Sequence, residues 1–285
     1  MQIMTNFYFF STFTIGFFCI YALSKRFKEL LNRCLTLIVL LHLFCFVLWA
    51  GKTIFTILIA IILLLSFYEL NPCNKIKSIV LLSFTIVLSA YLLVHAELTK
   101  YFLPMYFIVS AFPFVVKNKY TNNNYYLSIF TLFFLVPSAL SLILIYSINL
   151  GWIIAILLLL NMNDGFGYLF GKKYGKTKIF KNISPNKTLE GYLSGAIGII
   201  LGEILLSTII PLFKEYTIKE YLIVFIAIFF LGNVGDLLFS KIKRSLGIKD
   251  FGKMLPGHGG ILDRFDNTLF VAPVIYFLLE SHILF

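Results

Sequence analysis

Residues 232–266 read GNVGDLLFSKIKRSLGIKDFGKMLPGHGGILDRFD, and they interrupt a chain that is otherwise almost wholly apolar. An apolar run at about 221–239 leads into them, and another at about 268–284 follows. Two hydrophobic helices joined by a charged, glycine-rich loop is therefore the local expectation. The stretch holds four of the five aspartates, Asp236, Asp250, Asp263 and Asp266. Among them stand Lys241, Lys243, Arg244, Lys249, Lys253 and Arg264. Charge concentrated in this way implies a purpose, and the residue types suit a phosphate-and-metal site at a membrane face.

The whole composition supports the membrane. The 285 residues are 60% hydrophobic and 13% charged, with a mean hydropathy of +0.92. A soluble domain carries about 25% charged residues. Such runs cross lipid as helices, which satisfy their own backbone hydrogen bonds. The net charge of +11 does not point to nucleic acid, because basic residues retained in cytoplasmic loops account for it. Cys19, Cys34, Cys45 and Cys73 have no metal-ligand spacing and are expected to be packing residues. His42 and His95 are lone histidines on apolar runs, expected to pack or to lie at an interface. No cleavable leader pattern opens the chain, so the first run is expected to stay as a membrane helix.

Ten apolar runs can be drawn, at about 7–24, 35–50, 53–70, 78–96, 101–116, 125–148, 152–170, 191–213, 221–239 and 268–284. The second and third are short, and only Gly51 and Lys52 separate them, so a partial or tilted hairpin is expected there. The loops after odd-numbered runs hold 20 of the 24 Lys and Arg residues. The positive-inside rule then puts the two long loops in the cytoplasm and both termini outside. The expectation is an all-α polytopic bundle of nine to ten membrane helices. Residues 1–150 contain no aspartate and read as a transmembrane scaffold; residues 151–285 read as the catalytic part. Glu69 ends the third run, where a solvated helix-end acid and a role in the site are both open.

Asp236 lies inside an apolar run, where an acid costs ~2.5–3.5 kcal/mol at mid-bilayer and less near the interface. Asp236, Ser240 and Lys243 are spaced i, i+4, i+7 and share one helix face. That stripe suits a phosphate-bound divalent cation, with a salt bridge as the plain structural reading. The glycines of Pro256-Gly-His258-Gly259-Gly260 let backbone N–H groups approach phosphate oxygens, and His258 is placed to help. Asp263 and Asp266 begin the next helix; the helix dipole explains one acid there but not two plus Asp236. Three carboxylates at one membrane level describe an oxygen-ligand site for Mg²⁺, and Arg264 between them suits a bidentate phosphate contact. The second long loop runs 161–191. It carries Asp164 in an apolar run and Lys187-Thr188 at a helix start, an anion site in prospect or an ordinary cap. Gly175-Lys176-Thr177 is no P-loop, since Phe170 stands where that motif needs glycine.

At these residues the chain is similar to a known family. Ser240-Lys-Ile-Lys243-Arg244, Lys249-Asp250 and Leu255-Pro-Gly-His258-Gly259-Gly260-Ile-Leu-Asp263-Arg264-Phe-Asp266 resemble the signature of the CTP:phosphatidate cytidylyltransferases, the CDP-diacylglycerol synthases. Ile183-Ser-Pro-Asn-Lys187-Thr188-Leu-Glu190-Gly191 resembles a second stretch of that family, and Gly235-Asp236-Leu237 fits just before Ser240. Asp164 is followed by Gly-Phe-Gly-Tyr where the family more usually has Thr or Ile and then Ala-Tyr, and Leu189 stands for a common Trp. The resemblance implies transfer of the cytidylyl group of CTP to phosphatidate, giving CDP-diacylglycerol and pyrophosphate. It implies that Asp236, Asp263 and Asp266 hold Mg²⁺, alone or beside a second cation. Lys243, Arg244 and Ser240 would cradle phosphate, and Lys187 with Thr188 would complete the site. Lys249, Asp250, His258, Gly259, Gly260, Arg264 and Asp164 are the further substrate-binding candidates. A homodimer in a bacterial cytoplasmic membrane, with its site facing the cytoplasm, is also implied.

Two other readings stay in view. A related CTP-using enzyme could act on an isoprenoid or ether lipid, as a polyprenol kinase or CDP-lipid synthase. An ion-coupled transporter would place its charges near the midplane in matched halves, whereas here they cluster toward one face of one half.

Overall fold

The computed structural model describes residues 42–70, 130–180, 183–252, 254 and 259–284. Their regular elements are helices: α1 (Lys52–Leu70), α2 (Val136–Ile148), α3 (Leu150–Tyr174), α4 (Leu189–Ile209), the short α5 (Pro211–Lys214), α6 (Ile218–Ser245) and α7 (Leu262–Glu280). One isolated antiparallel bridge joins Lys178 to Thr188. α1, α3, α4 and α6 are each long and apolar enough to cross a membrane. The runs drawn at 7–24, 78–96 and 101–116 lie outside the described residues, as do Cys19, Cys34, Cys73, His95 and His258.

Each boundary has a local cause. Residues 42–50 are helical, and Gly51 breaks the helix with a φ of +98°, a conformation that suits a residue without Cβ. A π-helical segment, Thr131–Leu135, precedes α2. Pro137 follows it and has no N–H to give an earlier carbonyl, so the ladder is already incomplete there. Asn149 caps α3, its side chain accepting from Gly151 N at 2.7 Å. Thr217 and Glu220 form a reciprocal capping box at the start of α6. Gly247, with φ +71°, closes the same helix: its N–H reaches Arg244 O at 3.1 Å, and Ile248 N reaches Lys243 O at 3.0 Å.

Lipid is as apolar as leucine, so helices in it associate by close packing of small residues rather than by hydrophobic exclusion. α3 and α4 meet this way. A Cβ on Gly195 would lie 2.5 Å from Asn163 Oδ1, one on Gly198 would lie 2.6 Å from Met162 O, and one on Gly202 2.8 Å from Leu159 Cδ2. Gly191 and Gly171 face each other at the end of the same seam. The other helices interlock through aromatic rings. Phe239 of α6 meets Phe130 and Phe134 edge-on at 5.8 and 5.6 Å, and Phe134 tilts against Phe270 of α7 at 5.8 Å.

The two ends of the bundle differ. At one end Trp152, Phe213 and Tyr216 pack together, and Tyr216 donates to Leu284 O at 3.0 Å. At the other, the C-terminal ends of α1, α3 and α6 meet the N-terminal ends of α4 and α7 through side-chain contacts described next. The described basic residues of the 161–191 and 232–266 segments stand at this second end.

Candidate active site

Two segments build the site. The first is the hairpin between α3 and α4. Leu189 N reaches Thr177 O at 2.9 Å and Ile179 N reaches Lys187 O at 3.3 Å, which folds the basic loop back on itself. Glu190 holds it shut, accepting from Lys176 N at 3.1 Å, Thr177 N at 3.2 Å and Thr177 Oγ1 at 3.1 Å. The Gly-Lys-Thr triplet thus serves an internal clasp. Thr188 caps α4 by accepting from Gly191 N at 3.2 Å. A Cβ at Gly175 would strike Thr188 Oγ1 at 2.5 Å, so the hairpin packs directly on the end of α3.

The second segment is the end of α6 with the start of α7. Ser240 Oγ donates to Asp236 Oδ1 at 3.3 Å, as the shared helix face predicts. Lys243, on the same stripe, instead pairs with Asp263 Oδ1 at 2.8 Å, with side chains 11% and 4% exposed. Asp263 Oδ2 accepts from Phe251 N at 2.8 Å and Gly260 N at 2.9 Å. One carboxylate therefore closes the loop between the two helices. Gly259 turns there with φ +85°, beside Asp250 and Asp263.

Lys187 joins the two segments. Its Nζ forms an ion pair with Asp236 Oδ2 and lies 5.4 Å from the centre of the Tyr192 ring. Burial disfavours the ammonium, but the Asp236 carboxylate outweighs it, and the Lys187 pKa stands above the usual lysine value. A cavity of about 290 Å³ opens at this junction, lined by Asp164, Tyr168, Lys187, Thr188, Asn233 and Asp236 among others. Asp164 receives Asn163 Nδ2 at 3.2 Å and Asn267 Nδ2 at 2.9 Å. Asp266 accepts from Asn267 N at 2.8 Å and is buried. Asp236 lies within electrostatic reach of both Asp164 and Asp266.

The structure thus gathers Asp164, Lys187, Thr188, Asp236, Ser240, Lys243, Asp263 and Asp266 at one end of the bundle. Arg244 points its Nη1 at Ile248 O, 3.0 Å away, and is exposed. Lys249, Asp250 and Arg264 are exposed on the same loop and helix start. Gly259 and Gly260 line the turn over Asp263. Among the described residues no three His, Cys, Asp or Glu side chains are drawn together as a metal shell. The donor chemistry nevertheless fits a hard cation. Asp164, Asp236 and Asp266 supply carboxylate oxygens, and the neighbouring Asn267 Oδ1 is buried with no hydrogen-bond partner.

Sequence reasoning passed over the amides Asn163 and Asn267, which orient Asp164. Their signal was present: each is a polar side chain next to an aspartate in an apolar helix, and such groups persist only with partners. Glu69, left open between two readings, is 8% exposed and accepts from Ile261 N and Leu262 N, both at 2.9 Å. It faces the loop, not solvent.

Comparison with known proteins identifies the family. A family model described as "Cytidylyltransferase family" matches residues 31–282. The phosphatidate cytidylyltransferase of Staphylococcus epidermidis is 33% identical over 264 residues, covering 87% of this chain and 98% of that protein. Those of Staphylococcus aureus and Staphylococcus haemolyticus are 32% and 30% identical, with the same coverage. With both site segments inside the matched region, the chain belongs to the cytidylyltransferase family.

Proposed function

We propose that the protein transfers the cytidylyl group of CTP to phosphatidate. A phosphate oxygen of phosphatidate forms a bond to the α-phosphorus of CTP. The bond from that phosphorus to the α–β bridging oxygen breaks, and pyrophosphate leaves with its electron pair. The observation that carries the reading is the Lys187–Asp236 ion pair, which brings both charged loop segments to one cavity. Phosphatidate arrives as a largely dianionic nucleophile, so the site needs no strong base. What it must supply is position and neutralisation of charge.

Mg²⁺ bound with the CTP phosphates would neutralise charge on the oxygens around the reacting phosphorus. Asp236 and Asp266 would hold it with Asp164 beside them, and Asp263 would join only on parting from Lys243. In the ligand-free protein Lys187 and Lys243 balance two of these acids. Lys187 and Lys243 are also the cations placed to bind substrate phosphates, and in doing so they would leave Asp236 and Asp263 available to a cation. Thr188 and the N-terminal turn of α4 present N–H groups and a hydroxyl to the same anion. Ser240 keeps Asp236 oriented, while Arg244, Lys249 and Arg264 extend positive charge along the route to the cavity.

The wider setting follows from the same reading. A chain of nine to ten membrane helices in a bacterial cytoplasmic membrane puts this end of the bundle in the cytoplasm, where CTP is available. A homodimer rests on the family resemblance. The test is the product. Membranes containing the protein, given labelled CTP, Mg²⁺ and phosphatidate, should yield a CDP-lipid and pyrophosphate, and a chelator should stop it. Transfer of label from the γ-phosphate to a polyprenol instead would make the protein a kinase.

A further inference from the structure

Glu69 is the last acid before the end of α1, 192 residues in sequence from the loop it touches. Its two carboxylate oxygens divide between two donors. Oε1 accepts from Ile261 N and Oε2 from Leu262 N, both at 2.9 Å. These are the first amides of α7, which lack intrahelical partners, and no side-chain cap is supplied by α7's own N-cap residue, Ile261. A carboxylate there also meets the positive end of the helix dipole. Nothing in the sequence around α7 offers a Ser, Thr, Asn or Asp at the capping position, so the cap comes from another helix.

The seat is shaped for this carboxylate. A Cβ on Gly260 would stand 2.7 Å from both Glu69 oxygens, and a Cβ on Gly252 would overlap Oε1 outright. Gly252 and Gly260 bracket the loop whose other fastening is Asp263. Glu69 and Asp263 therefore both fasten its ends: Glu69, from α1, at Ile261 and Leu262 N, and Asp263, from within α7, at Phe251 and Gly260 N. The helix start they fix carries Asp263 at its second residue and Asp266 one turn on.

From this geometry we infer that Glu69 is a positioning residue for the reaction. It holds the start of α7, and with it Asp263 and Asp266, in the register that the charged substrate needs. Its own carboxylate touches neither substrate nor cation. The inference on turnover rests on the reaction proposed above; the inference on the cap does not. Loss of the cap shifts carboxylates that must meet a transition state within a fraction of an ångström, which harms turnover more than ground-state binding.

Three variants and two measurements test it, in the full-length protein in detergent or membranes. Glu69→Gln keeps size but replaces one acceptor with a donor facing an N–H. Gly252→Ala leaves Glu69 intact and fills its seat. Both should lower kcat by ~10- to 100-fold while the KM for CTP changes by less than about threefold. The double variant should be little worse than either single one, because both break the same contact. Hydrogen exchange followed by mass spectrometry should show faster exchange in peptides covering 259–264 in each variant. The Thr217-capped start of α6 should be unchanged. Wild-type kcat in Glu69→Gln, multiplicative effects in the double variant, or unaltered exchange at 259–264 would each overturn the assignment. Should Glu69→Gln fail to accumulate, Gly252→Ala decides by the same two readouts. If the wild-type protein forms no CDP-lipid, the exchange experiment still decides whether Glu69 caps α7.

Discussion

Lys187 and Asp236 show how the membrane makes single residues informative. Each is costly near lipid alone, and each accounts for the other. Because the Lys187 pKa is raised, its charge contributes stability that is fully present below the unfolded lysine value and lost only as pH rises through the folded one. Activity should therefore show no alkaline loss from this group below the ordinary lysine pKa of ~10.4, measured as a pH–kcat/KM profile on a pH-stable buffer series. Lys187→Gln should lose ~10²- to 10³-fold in kcat, the scale of removing one donor aimed at developing charge. Asp263 stands in a different position, since it already balances Lys243 and two backbone amides. Asp263→Asn leaves that ammonium without its counter-charge, a change that costs ~3–5 kcal/mol when the pair is buried. The variant should insert in the membrane yet give no CDP-lipid; near-normal turnover would remove Asp263 from the site.

At the scale of elements, the α3–α4 seam decides whether the Asp164 side of the cavity is in place. Gly195→Ala sets a Cβ 2.5 Å from Asn163 Oδ1, and Asn163 in turn donates to Asp164. Overpacking of this kind costs ~1–3 kcal/mol, so the thermal midpoint in detergent should fall and activity should fall with it. Gly165→Ala, on the facing helix α3, meets nothing within 4 Å. There the gain in helix propensity is ~0.5–1 kcal/mol, and the midpoint should hold or rise. A fall in both variants would show that the seam is not what sets the difference. The helices themselves were readable in advance. The runs drawn at 53–70, 152–170, 191–213 and 221–239 correspond to α1, α3, α4 and α6, because hydropathy marks a span directly. α3 and α6 continue past their apolar runs by about a turn or more, to Tyr174 and Ser245, since lysines and an arginine in a last turn favour a helix rather than end it.

For the whole molecule, the charge asymmetry and the fold give one prediction about sidedness. In a cysteine-free background, Lys178→Cys and Lys249→Cys should react with a membrane-impermeant thiol reagent from the cytoplasmic face. Glu215→Cys, which follows α5 at the opposite end, should react only from the other face. Labelling of all three from one side would overturn the topology. The same arrangement explains why charge is lopsided along the chain. Both long loops return to one end, and in the proposed reaction that end holds a triphosphate and a lipid phosphate together.

Composition and pattern determined much on their own. Continuous apolar runs of this length cross lipid as helices, and acids that persist in them must have a use, so the helical class and most of the candidate site stood in the sequence. The partners did not. Asp236, Ser240 and Lys243 share a helix face, yet Lys243 turns to Asp263 while Lys187 comes from another loop to meet Asp236. Glu69 could be read as a solvated helix end until the fold set it under two glycines at the start of α7. Periodicity reports which face of a helix a residue occupies; it carries nothing about which distant segment comes to rest against that face. That choice belongs to tertiary packing, where close contact at glycines and the pairing of buried charges select one arrangement.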